Sequence, residues 1–236
     1  MFTKKEVSAI IISIILLGFI FAFNDGQLNF QFSFWILNFL RIILLVGVSV
    51  LLRELFIKLM ARRFNSESTY DFWFIERFWF KPSNKFKPRM PFGIIFAVLG
   101  VLVSGGKFFF TAIGIHNIKQ KVSARTGSKR LFLTDMEESL IVWSGMLINI
   151  LLIYLGFLFG ITQLAGINFF IGLYNLIPFS DLDGAKIFFG SQLIWIFTLG
   201  FLLFSYLLLP VNFILALILS LIFGFAFVVI YYFKFG

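Results

Sequence analysis

The chemistry this chain could do rests on few side chains. Arg53, Glu54 and Lys58 stand in the apolar run Val48 to Phe64, where a bilayer rejects charge unless it is paired, wetted or functional. In a helix, positions i and i+4 share a face, the spacing by which two histidines hold one metal while an adjacent glutamate polarises the bound water. Around Glu54 that spacing is filled by Arg53, which has no lone pair to donate, and Ile57, which has no donor atom. The helix therefore cannot bind zinc in that manner. His116 is the only histidine, reads as a solvated loop residue, and without a nearby partner cannot rebuild a metal site. Cysteine is absent, which removes thiolate ligands and disulfides. Ser144 and Ser180 could act as nucleophiles only beside a base, and none stands at a recognisable spacing.

Taken alone, Arg53 and Lys58 read as cations snorkelling to headgroups near a helix end, and a membrane asparagine such as Asn149 as glue between helices. An ordered set of motifs favours a different reading. It begins with Arg53-Glu54-Leu55-Phe56-Ile57 and the basic exit Ala61-Arg62-Arg63, followed by a short apolar dip from Pro91 to Val103 that ends at Ser104-Gly105-Gly106. Downstream come Ser144-Gly145-Met146-Leu147-Ile148-Asn149 and then Asn175-Leu176-Ile177-Pro178, with Asp183-Gly184 five residues further on. In this order, from about Val48 to Phe189, the chain resembles the site-2 protease family of intramembrane zinc metalloproteases. That family carries H-E-x-x-H, then G-P-x-x-N (here with Met146 for the proline), then N-x-x-P-x-x-x-x-D-G.

The resemblance implies a cleft that binds and unwinds a transmembrane helix for attack by zinc-bound water. By position, Glu54 would be the general base and Asp183 the third metal ligand, with Arg53 and Ile57 at the two histidine positions. One ligand of three does not hold a catalytic zinc. The expectation is therefore a proteolytically inactive relative with no metal and no cofactor. It would use Asn149, Asn175 and Pro178 to engage a transmembrane helix or another membrane protein. Alternatives are an active intramembrane endopeptidase with an atypical site, and a channel or transporter lined by Arg53, Glu54 and Asp183. In a zinc enzyme the metal neutralises the carboxylate at membrane depth. Here Arg53 is expected to do so by a salt bridge to Asp183, and Lys58, one turn on, to pair with Glu54.

The elements that must position these residues follow from composition. The chain has 236 residues, 60% of them hydrophobic, with 37 phenylalanines and a mean hydropathy of +1.00, well above the roughly half apolar content of soluble domains. An all-α polytopic membrane protein is expected, as one membrane domain over 1–236, in contact with the lipid bilayer. The net charge of +9 reports topology rather than nucleic-acid binding, since the basic residues cluster at Lys4-Lys5, Arg62 to Arg89, Lys107 to Arg130 and Lys234.

Six transmembrane helices are expected at about 7–23, 34–63, 138–160, 167–189, 193–209 and 213–233, with both termini cytoplasmic. The first is read as a span and not a signal peptide, because no small-residue cleavage site follows it. A re-entrant or interfacial element occupies 91–103, too short for the roughly 20 residues of a crossing. The loops 65–90 and 107–133 are assigned to the cytosol. In the first, the aromatic insert Tyr70 to Phe80 suits either a strand or an interfacial loop, and the resemblance favours a small β element. Thr134-Asp135-Met136-Glu137 reads as a capping box opening the third span.

Overall fold

In a computed structural model the chain is mostly helical, with eight helices and four short strands among the described residues, which are 2–24, 26–27, 30–77, 85–121 and 133–235. Helix α1 spans Lys4–Ala22 and α2 spans Phe32–Arg63. Strands β1 (Ser66–Phe72), β2 (Ile75–Arg77) and β3 (Lys85–Met90) precede α3 (Phe92–Ser104) and β4 (Gly114–Gln120). Helices α4 (Asp135–Leu158), α5 (Thr162–Asn175), α6 (Asp183–Gly190), α7 (Gln192–Leu208) and α8 (Phe213–Phe235) complete the chain.

Four helices, α1, α2, α4 and α8, are long and apolar enough to cross a membrane. The α2 helix turns Leu37, Leu44 and Leu51 outward, more than half exposed, as a lipid-facing surface does. The segment expected to cross at 167–189 is not one helix. It breaks after Asn175, just before Pro178, which has no N–H to continue the ladder and disfavours helix in the residue before it. The 14 residues of α5 reach only about 21 Å, against about 30 Å of hydrocarbon.

Local signals set several boundaries. Thr134 caps α4 with its hydroxyl on the Glu137 N–H, and the Glu137 carboxylate answers on the Thr134 N–H. Thr3 and Glu6 form the same box at the start of α1. One part of the core runs along α4, which packs against α2, α5 and α6, and another lies between α1, α2, α3 and α5. Gly145 lets α4 approach α2 closely: a Cβ there would lie 2.6 Å from Ile57 Cδ1 and 3.0 Å from Arg53 Cγ. The glycine of the Ser144 to Asn149 motif is therefore the floor on which Arg53 and Ile57 rest.

The small β element is two antiparallel pairs. One joins β1 to β4 with Tyr70 opposite His116, and the other joins β2 to β3. Of the aromatic insert, Tyr70 to Phe72 ends β1 and Ile75 to Arg77 forms β2, while 78–80 lie outside the described residues. Within the expected loop 107–133, β4 is a strand and 122–132 lie outside the described residues.

Side chains tie β1 to the helix ends. The Glu6 carboxylate accepts from the Tyr70 N–H (3.1 Å) and pairs with Lys58 Nζ (2.7 Å), while Lys58 also donates to the Ser68 carbonyl (2.9 Å). Lys5 pairs with Asp71 at 3.0 Å. The start of α1, the end of α2 and the β1–β4 pair thus meet at one end of the helix bundle.

Candidate functional site

Three elements bring four charged side chains to one point. Arg53 and Glu54 come from the inner face of α2, His116 from β4, and Asp183 from the first position of α6. All four are buried, with no more than 5% of any residue exposed. Arg53 Nη2 donates to Asp183 Oδ2 at 2.5 Å, and His116 Nδ1 lies 2.8 Å from the same oxygen. On the other side of the ring, His116 Nε2 lies 2.9 Å from each Glu54 oxygen. Arg53 Nη1 is 3.5 Å from Glu54 Oε1.

Backbone packing aims each group. His116 points inward because β4 alternates: Gly114 and His116 are buried, while Asn117 on the opposite face is exposed. The Tyr70 ring stands beside it, 5.5 Å between centroids, with its hydroxyl bonded to Ser13 Oγ at 2.8 Å. Asp183 is fixed by Gly184, whose hypothetical Cβ would meet the Leu176 carbonyl and lie 2.6 Å from Ile177 O. Only glycine lets α6 start directly under the end of α5. Lys186, one turn into α6, donates to the His116 carbonyl and holds α6 against β4.

Both ring nitrogens of His116 face carboxylates, and an ionised carboxylate only accepts. Both nitrogens must therefore donate, which makes His116 an imidazolium. Burial alone would lower its pKa, but the Asp183 and Glu54 carboxylates outweigh burial and push it up to about 9. The site then holds two cations and two anions and is neutral overall. Because the folded pKa lies above the unfolded value of about 6.5, this contribution is fully present below that pH and is lost as pH rises through about 9. Melting temperature in detergent is expected to fall across that window. A melting temperature that rises from about 6.5 to about 9 contradicts a charged His116.

No family model, curated protein or solved structure matches this chain. The site's chemistry must be read from its own residues.

Those residues do not fit a zinc ion. Glu54, His116 and Asp183 converge, but a permanent guanidinium sits 2.5 Å from Asp183 and 3.5 Å from Glu54, where it would repel a dication. Among the described residues no group of three histidine, cysteine, aspartate or glutamate side chains is arranged to hold a metal. Ile57 is fully buried against Gly145 and brings only hydrocarbon. The two serines meet other groups than a base. The Ser144 hydroxyl donates to the Ile141 carbonyl (2.6 Å), and Ser180 Oγ accepts from Trp73 Nε1 (3.4 Å).

The structure brings Arg53 and Asp183 together but separates Glu54 from Lys58. The i,i+4 spacing permits that pair, yet Lys58 turns to Glu6 and the Ser68 carbonyl, and Glu54 takes His116 instead. His116 is not solvated. Strand pairing carries it into the core, and the signal for this in the sequence is the alternation of β4, where Gly114, His116 and Ile118 share one face.

Of the three residues expected to meet a partner, Asn149 is fully buried and neither of its amide atoms has a hydrogen-bond partner. Asn175 is buried and donates back to the Ile171 carbonyl (2.8 Å). Only Pro178 is exposed, on the loop between α5 and α6. That loop borders a groove of about 760 Å³, lined by Phe72, Phe74, Asn117, Phe179 and Asp181 among others. Phe179 also closes an apolar pocket of about 180 Å³ with Trp73, Phe92, Phe96 and Phe110.

Proposed function

We propose that this chain is a proteolytically inactive relative of site-2-protease-type intramembrane metalloproteases, and that it engages the transmembrane helix of another membrane protein. The observation that carries the reading is the charge balance of the buried site. Where the resemblance calls for a zinc dication beside Glu54 and Asp183, the chain supplies two protein cations, Arg53 and His116, and closes the space around them. Such a site keeps its architecture without metal and has no route to hydrolysis. Its closure also speaks against a channel, which needs a continuous wet path through these same charges.

The same reading takes six crossings, with the broken α5 to α6 segment as the fourth, tolerable at membrane depth because its freed backbone packs against protein. Both termini then face the cytoplasm. The basic residues at the start of α1, the end of α2 and the sheet gather at one end of the bundle, which supports that orientation. Partner contact falls on the Pro178 to Asp181 loop and the groove beside it, in place of Asn149 and Asn175.

The test is in-membrane crosslinking from a photoreactive phenylalanine analogue at Phe179, a residue 57% exposed on that groove. One discrete partner, joined through its apolar helix, is expected. Adducts to lipid alone would remove the partner-binding reading. Metal analysis gives a second check. Purified protein is expected to carry no stoichiometric zinc, and one zinc per chain that disappears in Asp183→Ala would overturn the inactive assignment.

A further inference from the structure

We infer that a second, separate site binds a phosphate monoester, in the cleft between the start of α1, the end of α2 and β1. The cleft has a volume of about 180 Å³, and its lining includes Thr3, Lys58, Arg62, Glu67, Ser68 and Lys121. It lies at the basic exit of α2, away from the groove that Phe179 borders, and does not depend on the function proposed above.

Two independent observations point to an anion carrying several acceptors. The first is charge. Lys58, Arg62 and Lys121 converge from α2 and the residue after β4, against Glu6 and Glu67. Lys58 is already neutralised by Glu6, and Lys121 holds Glu67 in a solvent-exposed pair at 3.1 Å, an interaction weak enough to open. The Arg62 guanidinium makes no ion pair among the described residues, and its fork suits two oxygens of one phosphate.

The second observation is an unpartnered hydroxyl. Ser68 is 4% exposed, lines the cleft, and its Oγ has no hydrogen-bond partner. The neighbouring hydroxyls are committed, Ser66 to the Phe64 carbonyl at 3.0 Å and Thr69 to the Asn117 carbonyl at 3.3 Å. A buried O–H donor left over in a cleft that an unpaired guanidinium also lines is what a phosphate oxygen would complete. A carboxylate ligand offers two oxygens on one plane. A phosphomonoester offers three off one plane, one each for Arg62, Lys121 and Ser68.

The phosphate can belong to a lipid headgroup, since α2 leaves its apolar stretch at this level, or to a soluble molecule. The test is thermal unfolding of the full chain in neutral detergent, titrated with inorganic phosphate and with short-chain phosphatidic acid, a lipid phosphomonoester. Stabilisation that saturates is expected. Arg62→Gln and Ser68→Ala are expected to raise the half-saturating concentration about tenfold, the loss of one charge-assisted hydrogen bond. Arg63→Gln, the adjacent cation outside the cleft, is expected to leave it unchanged. Equal protection by both probes identifies a soluble phosphate ligand, and protection by the lipid alone identifies a headgroup. Absence of saturable protection by either probe overturns the site. An Arg63→Gln effect as large as that of Arg62→Gln also overturns it, since diffuse charge would then explain the binding. Arg62 is on the surface, so its variant folds and the comparison stands even if Ser68→Ala is damaged.

Discussion

Substituting His116 with leucine is expected to destabilise the folded protein by about 3–5 kcal/mol, the range for breaking a buried ion pair by removing one partner. Leucine roughly fills the volume but leaves Glu54 and Asp183 sharing one cation, Arg53, which already lies closer to Asp183 than to Glu54. One buried negative charge is then uncompensated, and Glu54 is the group left worst solvated. Arg53→Met leaves the mirror situation, with His116 as the only cation.

Removing one charge of each sign should restore most of the loss. His116→Leu combined with Glu54→Gln, or Arg53→Met with Asp183→Asn, is expected to cost less than the sum of its single changes by at least about 1 kcal/mol. The measurement is denaturant unfolding in mixed micelles for each single and double variant. If the costs simply add, the four groups do not act as one neutral unit.

The second large effect is expected at Gly184. In Gly184→Ala the new methyl would press on the Leu176 carbonyl and stand 2.6 Å from Ile177 O, and backbone cannot swing aside as a side chain can. The first turn of α6 must lift, drawing Asp183 away from Arg53 and His116. Overpacking costs about 1–3 kcal/mol by itself, and the loss of the Asp183 contacts comes on top of it. Gly47→Ala is the control. Its nearest neighbour, Ile14 Cγ2, would be 3.8 Å away, and alanine is favoured over glycine within a helix by about 0.5–1 kcal/mol. Comparable stability of the two variants would mean that the backbone around Leu176 is pliant and does not fix Asp183.

What was legible in the sequence was local or forced by charge. Thr134 and Glu137 mark a helix start whose chemistry lies within four residues, and Pro178 marks a break for the same reason. Arg53 and Asp183 could be matched across 130 residues because each needs an opposite charge at depth, and few candidates exist in so apolar a chain. Glu54 and Lys58 show the limit of spacing. The helix makes them neighbours, but the choice between Glu54 and Glu6 is settled by how α1 packs beside β1, which no local pattern encodes. His116 shows the same limit from the other side. Its partners are set by the register that places it opposite Tyr70, and a seven-residue strand with one histidine gives a weak signal of that register. The β1–β4 pair as a whole was only half visible, since aromatic residues suit a strand and a membrane surface equally well.

Three bonds from helix side chains to backbone groups of the β1–β4 pair also limit how anything else can associate with it. A two-stranded ribbon has two open margins, each a row of backbone donors and acceptors ready to template a further strand. On the β1 margin, Glu6 occupies the Tyr70 N–H and Lys58 the Ser68 carbonyl. On the β4 margin, Lys186 occupies the His116 carbonyl. Charged side chains thus blunt the ribbon at its centre on both sides. An extended peptide cannot lengthen the sheet there without displacing them, so the ribbon is protected against strand-by-strand self-assembly, and a partner must be met through side-chain packing.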